Sequence, residues 1–148
     1  MPPARKRVPA AEGWFTLDEA APALLGTRCK ACGTYYFPKE HFFCRNPGCA
    51  GSELDEVRLS NRGRLWSFTD NRYSPPPPYV AAEPFQPYAI AAVELAREKL
   101  VVLGQVVAGT GTDQLSAGME MELALEPLHA DDANEYLVWK WRPVQAAL

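Results

Sequence analysis

The chain has 148 residues, room for one ordinary domain or for a small metal-stapled module joined to a domain of roughly 100 residues. Hydrophobic residues make up 47% of it, enough for a real core, yet no apolar run is long enough to cross a bilayer as a helix. The formal charge of −3 is uneven, since residues 28–72 sum to +3 and residues 73–148 to −6, and an acidic C-terminal half argues against a partner with a phosphate backbone.

Residues 1–13 are rich in Pro, Ala and charge without periodicity, and predict a loose arm. Arg5-Lys6-Arg7 offers too few charges for an electrostatic targeting patch and reads as a solvated tail. Trp14, Phe15, Leu17 and the run Ala20 to Leu25 supply apolar anchors with no helical period, and Pro22 interrupts any helix, so a packed arm is expected to lead into the next segment.

All four cysteines follow: Cys29 and Cys32 in a C-x2-C turn, then, after an eleven-residue spacer, Cys44 and Cys49 in a C-x4-C turn. Two short chelating turns present four thiolates to one tetrahedral Zn²⁺, the pattern of a structural zinc ribbon of rubredoxin-like type. Gly33 and Asn46-Pro47-Gly48 allow the tight turns in which amide N–H groups reach sulfur. Two disulfides or a redox C-x2-C are the competing readings. No secretory apolar run precedes the cysteines, which favours a reducing, cytoplasmic setting, and a redox motif needs no second pair.

Leu24 to Arg28 and Tyr35 to Phe37 flank the first turn as a short hairpin ended by Pro38. The aromatics Tyr35, Tyr36, Phe37, Phe42 and Phe43 fit the small apolar core a ribbon needs, or alternatively a stacking platform for bases. His41, in the spacer, reads as a surface residue.

Beyond Gly51 the pattern turns to β-strands, at 64–69, 88–95, 100–107, 119–126 and 136–142, with 96–99 as a polar hairpin turn. In Met119 to Glu126 apolar side chains fall on odd positions and carboxylates mostly on even ones, the period of a half-buried strand. The expected fold is mainly β: an arm over 1–22, a zinc ribbon over 23–55, and a five-stranded OB-fold barrel over 56–148. Between the first two strands lie Pro75, Pro76, Pro77, Pro78 and Tyr79, a stiff polyproline segment, followed by Phe85 and Tyr88. It is either a rigid spacer or a loop that contacts a partner or ligand, with Arg72 beside it as a further candidate contact. His129, with Asp131 and Asp132, reads as a solvated loop.

Phosphate-loop, dinucleotide, nucleophile-elbow and zincin motifs are absent from the sequence. If all four thiols hold zinc in a closed site, none remains as an acyl-accepting nucleophile, which points to an accessory subunit without catalytic residues of its own.

Cys29-x2-Cys32-Gly33, Tyr36-Phe37-Pro38, Cys44 and Cys49, Gly63-x-x-Trp66-Ser67-Phe68-Thr69, Pro87-Tyr88-Ala89-Ile90-Ala91-x-Val93-Glu94-Leu95, Gly118-Met119 and Trp141-x-Pro143-Val144 stand in this order. Over about residues 23–144 the chain thereby resembles the zinc-ribbon OB-fold family long filed as a domain of unknown function. One departure is the C-x4-C second pair, where C-x2-C is frequent. The resemblance implies a small heteromeric companion of a thiolase-fold catalytic subunit acting on CoA thioesters, with CoA or acyl-CoA as a ligand shared by the complex and no nucleic acid or membrane partner. Its free-standing length and C-terminal end resemble those of companions of thiolases in aromatic-compound (toluene) degradation. A steroid side-chain aldolase partner, or a single-stranded nucleic-acid module, is the alternative.

Overall fold

A computed structural model describes residues 5–18, 20–77 and 85–144. It contains nine strands among them: β1 (Lys6–Pro9), β2 (Leu25–Cys29), β3 (Tyr35–Tyr36), β4 (Leu54–Arg58), β5 (Arg62–Asn71), β6 (Tyr88–Leu95), β7 (Leu100–Val106), β8 (Glu120–Ala130) and β9 (Asn134–Pro143). No helix among the described residues is long and apolar enough to cross a membrane.

β3, β2 and β4 form a three-stranded antiparallel sheet around the cysteine turns. The barrel is the cycle β5-β6-β7-β9-β8, closed by β8 against β5, with β7 and β9 parallel through Gln105↔Lys140 and Val106↔Trp141. This is the five-stranded OB-type closure that the strand pattern predicts. The odd positions of β8 point inward as expected, with Met121 and Leu123 buried beside Trp141, Leu65, Val93, Leu95 and Val106. Each such side chain contributes about 1.5–3 kcal/mol by leaving water.

The first residues differ from expectation. Lys6–Pro9 are a strand, because β9 runs past the short β7 contact and leaves its edge open; β1 fills that edge in parallel from Lys6↔Asn134 to Pro9↔Leu137. An unpaired β9 edge would leave N–H and C=O groups without partners, which is reason enough to order the arm. His129 and Pro127 also lie in a strand, β8, where the His129 ring stacks on Tyr136 at 4.6 Å. Asp131, expected in a solvated loop, closes the hairpin tip by accepting from Tyr136 Oη and from the amides of Ala133 and Asn134, and its carboxyl is held below the usual range, first by Tyr136.

Two devices join ribbon to barrel. One is aromatic: Phe37 of the ribbon and Trp14 and Phe15 of the arm all pack on the Trp139 ring of β9, with Trp14 stacked on it at 6.0 Å. The other is a buried carboxylate. Glu98, in the 96–99 turn, accepts from Ser60 Oγ at 2.7 Å, from the Ser60 amide at 3.2 Å and from Arg97 Nε at 2.6 Å. The turn expected to be merely polar therefore anchors the segment that leaves the ribbon. Glu98→Ala strands the Ser60 donors and should cost about 2–3 kcal/mol. A urea midpoint unchanged by the substitution would show that water replaces these bonds without loss.

Candidate metal centre

The four cysteine Sγ atoms lie within 4.8 Å of one another. Backbone turns bring them there. The Gly33 amide donates to Cys29 O at 2.9 Å, with Gly33 at φ +80°, and this closes the first turn. In the second, Cys49 N donates to Asn46 O at 2.9 Å and Gly48 N to Asn46 Oδ1 at 3.1 Å, so the longer C-x4-C spacing is taken up by an Asn-Pro-Gly turn and Cys49 still returns to the cluster. β2 and the 44–51 segment meet closely at Gly51, where an added Cβ would stand 3.0 Å from Cys29 Sγ.

The sulfurs pair across the two turns, Cys29 to Cys49 at 3.9 Å and Cys32 to Cys44 at 3.6 Å. These separations are far longer than an S–S bond of about 2.05 Å. Four thiolates at about 2.3 Å from one tetrahedral ion lie about 3.8 Å apart, so the donor set and its spacing fit Zn²⁺.

Each outer contact favours thiolate. Gly51 N reaches Cys49 Sγ at 3.3 Å and Asn46 N reaches Cys44 Sγ at 3.5 Å; Thr34 Oγ1 lies 3.1 Å and Asn46 Nδ2 3.7 Å from Cys32 Sγ. Tyr36 Oη accepts the Arg45 amide at 2.8 Å, which directs its own proton to Cys44 Sγ at 3.1 Å. The Thr34 hydroxyl and then its amide lower the Cys32 thiol to about 6. For Cys49 the Gly51 amide acts in the same direction, but burial and the neighbouring thiols outweigh it and push the group up to about 11. Metal coordination requires the thiolate form, so a bound cation displaces protons from the sulfurs that hold it.

The cysteines and the Asn46 turn were legible in sequence, whereas the roles of Thr34 and Tyr36 were not, because a hydroxyl that serves sulfur has no spacing signature. Phe42 and Phe43 correct the expectation of a ribbon core: both are largely exposed, while Tyr35 and Phe37 pack against buried residues. His41 is exposed, as expected, with its ring against Phe42.

The other candidate residues are only partly brought together. Phe85 and Tyr88 meet edge to face at 6.1 Å and line a cleft of about 410 Å³ with Gln105, Leu128 and Lys140, whose ammonium pairs with Glu126 at 3.1 Å. Arg72 is outside that lining and donates to Asp70 at 2.7 Å, and Pro75 is half-buried while Pro76 and Pro77 are exposed. Pro78 and Tyr79 lie outside the described residues.

Two family models match, in chain order: the ChsH2 rubredoxin-like zinc ribbon domain over residues 19–55 and the ChsH2 C-terminal OB-fold domain over residues 56–126. A benzoylsuccinyl-CoA thiolase subunit BbsA of Geobacter metallireducens is 34% identical over 118 residues, covering 79% of this chain and 71% of that protein. The chain belongs to the ChsH2 zinc-ribbon OB-fold family. A DUF35 domain-containing scaffold protein of Methanocaldococcus jannaschii is 29% identical over 129 residues, 82% of each chain. The BbsA of Thauera aromatica is 50% identical over 54 residues, 36% of this chain and 35% of its own. A solved structure, an Ltp2-ChsH2(DUF35) aldolase, superposes with a TM-score of 0.59 at 26% identity over 82% of this chain and 84% of that one.

Proposed function

We propose that this ChsH2-family chain is the accessory subunit of a thiolase-fold enzyme that acts on a CoA thioester, in the cytoplasm, and that the enzyme is a thiolase of aromatic-compound degradation. The observation that carries the reading is the 34% identity to a benzoylsuccinyl-CoA thiolase subunit across both ribbon and barrel. In this reading Cys29, Cys32, Cys44 and Cys49 hold one structural zinc, which supplies the ribbon's cohesion and no open coordination position. With its thiols so engaged the chain contributes no acyl-accepting nucleophile; the nucleophile belongs to the partner, and acyl-CoA is the ligand of the complex. The arm, ribbon and barrel act as the three units 1–22, 23–55 and 56–148. The likeness to an Ltp2-ChsH2(DUF35) aldolase supports a second reading, retro-aldol cleavage by a different partner. A nucleic-acid role is disfavoured by the net −6 of residues 73–148.

The test is a thiolysis assay with benzoylsuccinyl-CoA and free CoA on the chain, on the thiolase-fold protein that co-purifies with it, and on the two combined. The expected result is turnover by the combination and none by the chain alone. Turnover by the chain alone would overturn the accessory reading, and cleavage without free CoA would favour the aldolase.

A further inference from the structure

The outer walls of the barrel differ in kind. Across β5, β8 and β9 the wall is a ladder of paired charges, with Arg62 between Glu120 and Glu122 and Arg142 also on Glu122 at 3.0 Å, as a surface in water should be. Across β5, β6 and β7 it is apolar around Leu103 and Trp66, while Arg64 opposite Glu94 puts opposite charges on it beside Val101. Register pairs Ser67 with Ala92 and Ala92 with Leu103, and the bulge between Leu65 and Ser67 turns Trp66 outward onto the same wall. Trp66 and Leu103 are each 64% exposed and Val101 45%.

This apolar wall continues onto the ribbon. The Leu103 carbonyl accepts from Trp139 Nε1 at 3.1 Å, and the Trp139 ring stacks under Trp14. Trp14, Phe37, Pro38 and His41 then line a cleft of about 220 Å³, and the His41 ring rests against Phe42, which is 79% exposed. Cations near the ribbon end are already engaged, Lys39 by Glu56 at 2.8 Å and Arg45 by Glu40.

With aromatic side chains of roughly 150–250 Å² each, the exposed parts of Phe42, Trp14, Trp66, Leu103 and Val101 come to roughly 500–700 Å². That exceeds what a scattered surface shows and is most of the ~800 Å² that each partner contributes to a stable interface. We infer that this band, from the ribbon tip at Phe42 across Trp14 to Leu103 and Trp66, is the surface on which the catalytic thiolase-fold subunit docks, an inference that rests on the accessory-subunit reading. The docked partner presents a mainly apolar face, with polar groups only where it meets Arg64 and Glu94, and touches ribbon and barrel together. The zinc and the Trp139 cluster thereby set the relative placement of the two halves of the interface.

The experiment uses the full chain and the co-purified, identified thiolase-fold subunit, with association measured by titration calorimetry. Phe42→Ser at one end and Leu103→Ser at the other should each raise Kd roughly 10- to 100-fold, the range of interface anchors. Arg62→Gln on the charged wall should leave it within about twofold. Zinc content and circular dichroism of each variant establish that these exposed sites leave the fold intact. If no thiolase-fold protein binds the wild-type chain, the accessory reading fails and the docking surface with it. If it binds and either end tolerates its substitution, the band is overturned while the reading stands. Self-association of the chain alone that both substitutions abolish would assign the band to a second copy and also overturn the proposal.

Discussion

Cys44→Ser is expected to lose stoichiometric zinc and to unfold the ribbon while the barrel strands persist. Structural zinc contributes on the order of 10–16 kcal/mol to the small domains it folds, against about 5–15 kcal/mol for the whole stability of an ordinary domain. Apart from the β2–β4 pairing and the packing of Phe37 on Trp139, the segment between the cysteine turns has little to hold it, since β3 joins β2 through only Thr27↔Tyr36 and Arg28↔Tyr35, and Phe42 and Phe43 are turned to solvent. Cys44 is a severe choice because its sulfur is buried and also takes the Tyr36 phenol and the Asn46 amide. Freed of that contact, the Tyr36–Phe37 segment should loosen from Trp14 and Trp139, so tryptophan emission should shift to the red as metal is lost. Elemental analysis and emission spectra decide the matter: one zinc per chain in the variant, with an unshifted spectrum, would mean that the thiols do not hold the ribbon.

Trp141→Ala is expected to have the largest effect inside the barrel, about 3–5 kcal/mol, or a fall in Tm on the order of 10 °C for a chain of this size. Trp141 is fully buried and opposes Leu123 of β8 and Val106 of β7, so its ring fills the seam where the parallel pair closes the barrel. Gly104 lets β7 come this close, because a Cβ there would stand 2.9 Å from Trp141 Cδ1. Trp141→Phe should cost much less than the alanine change, since among the described residues the Trp141 Nε1 donor is buried without a hydrogen-bond partner and its removal recovers some of that penalty. Thermal unfolding followed by far-UV circular dichroism checks both; equal losses for Phe and Ala would show that the indole nitrogen is better satisfied than its surroundings suggest.

What the sequence by itself determined is local. The alternation from Met119 to Glu126 sorts β8 into two faces, the Ala96 to Lys99 turn joins β6 to β7, and the two cysteine turns define a ligand set, because side-chain period and turn chemistry act within a few residues. Similar reasoning misplaced the N-terminal segment, since nothing in Lys6–Pro9 indicates that the edge of β9, more than a hundred residues away, stands open to receive it. It also put Phe42 and Phe43 into a ribbon core, for hydrophobicity marks a side chain as able to be buried and does not say what will cover it. Glu98 is the converse: a charged residue in a polar turn is buried where Ser60, 38 residues earlier on the segment that leaves the ribbon, supplies two donors. Trp66 faces outward through a bulge that exists only in the pairing of β5 with β6. In each case the deciding partner is distant in sequence, and only closure of the barrel and its packing against the ribbon brings it into contact.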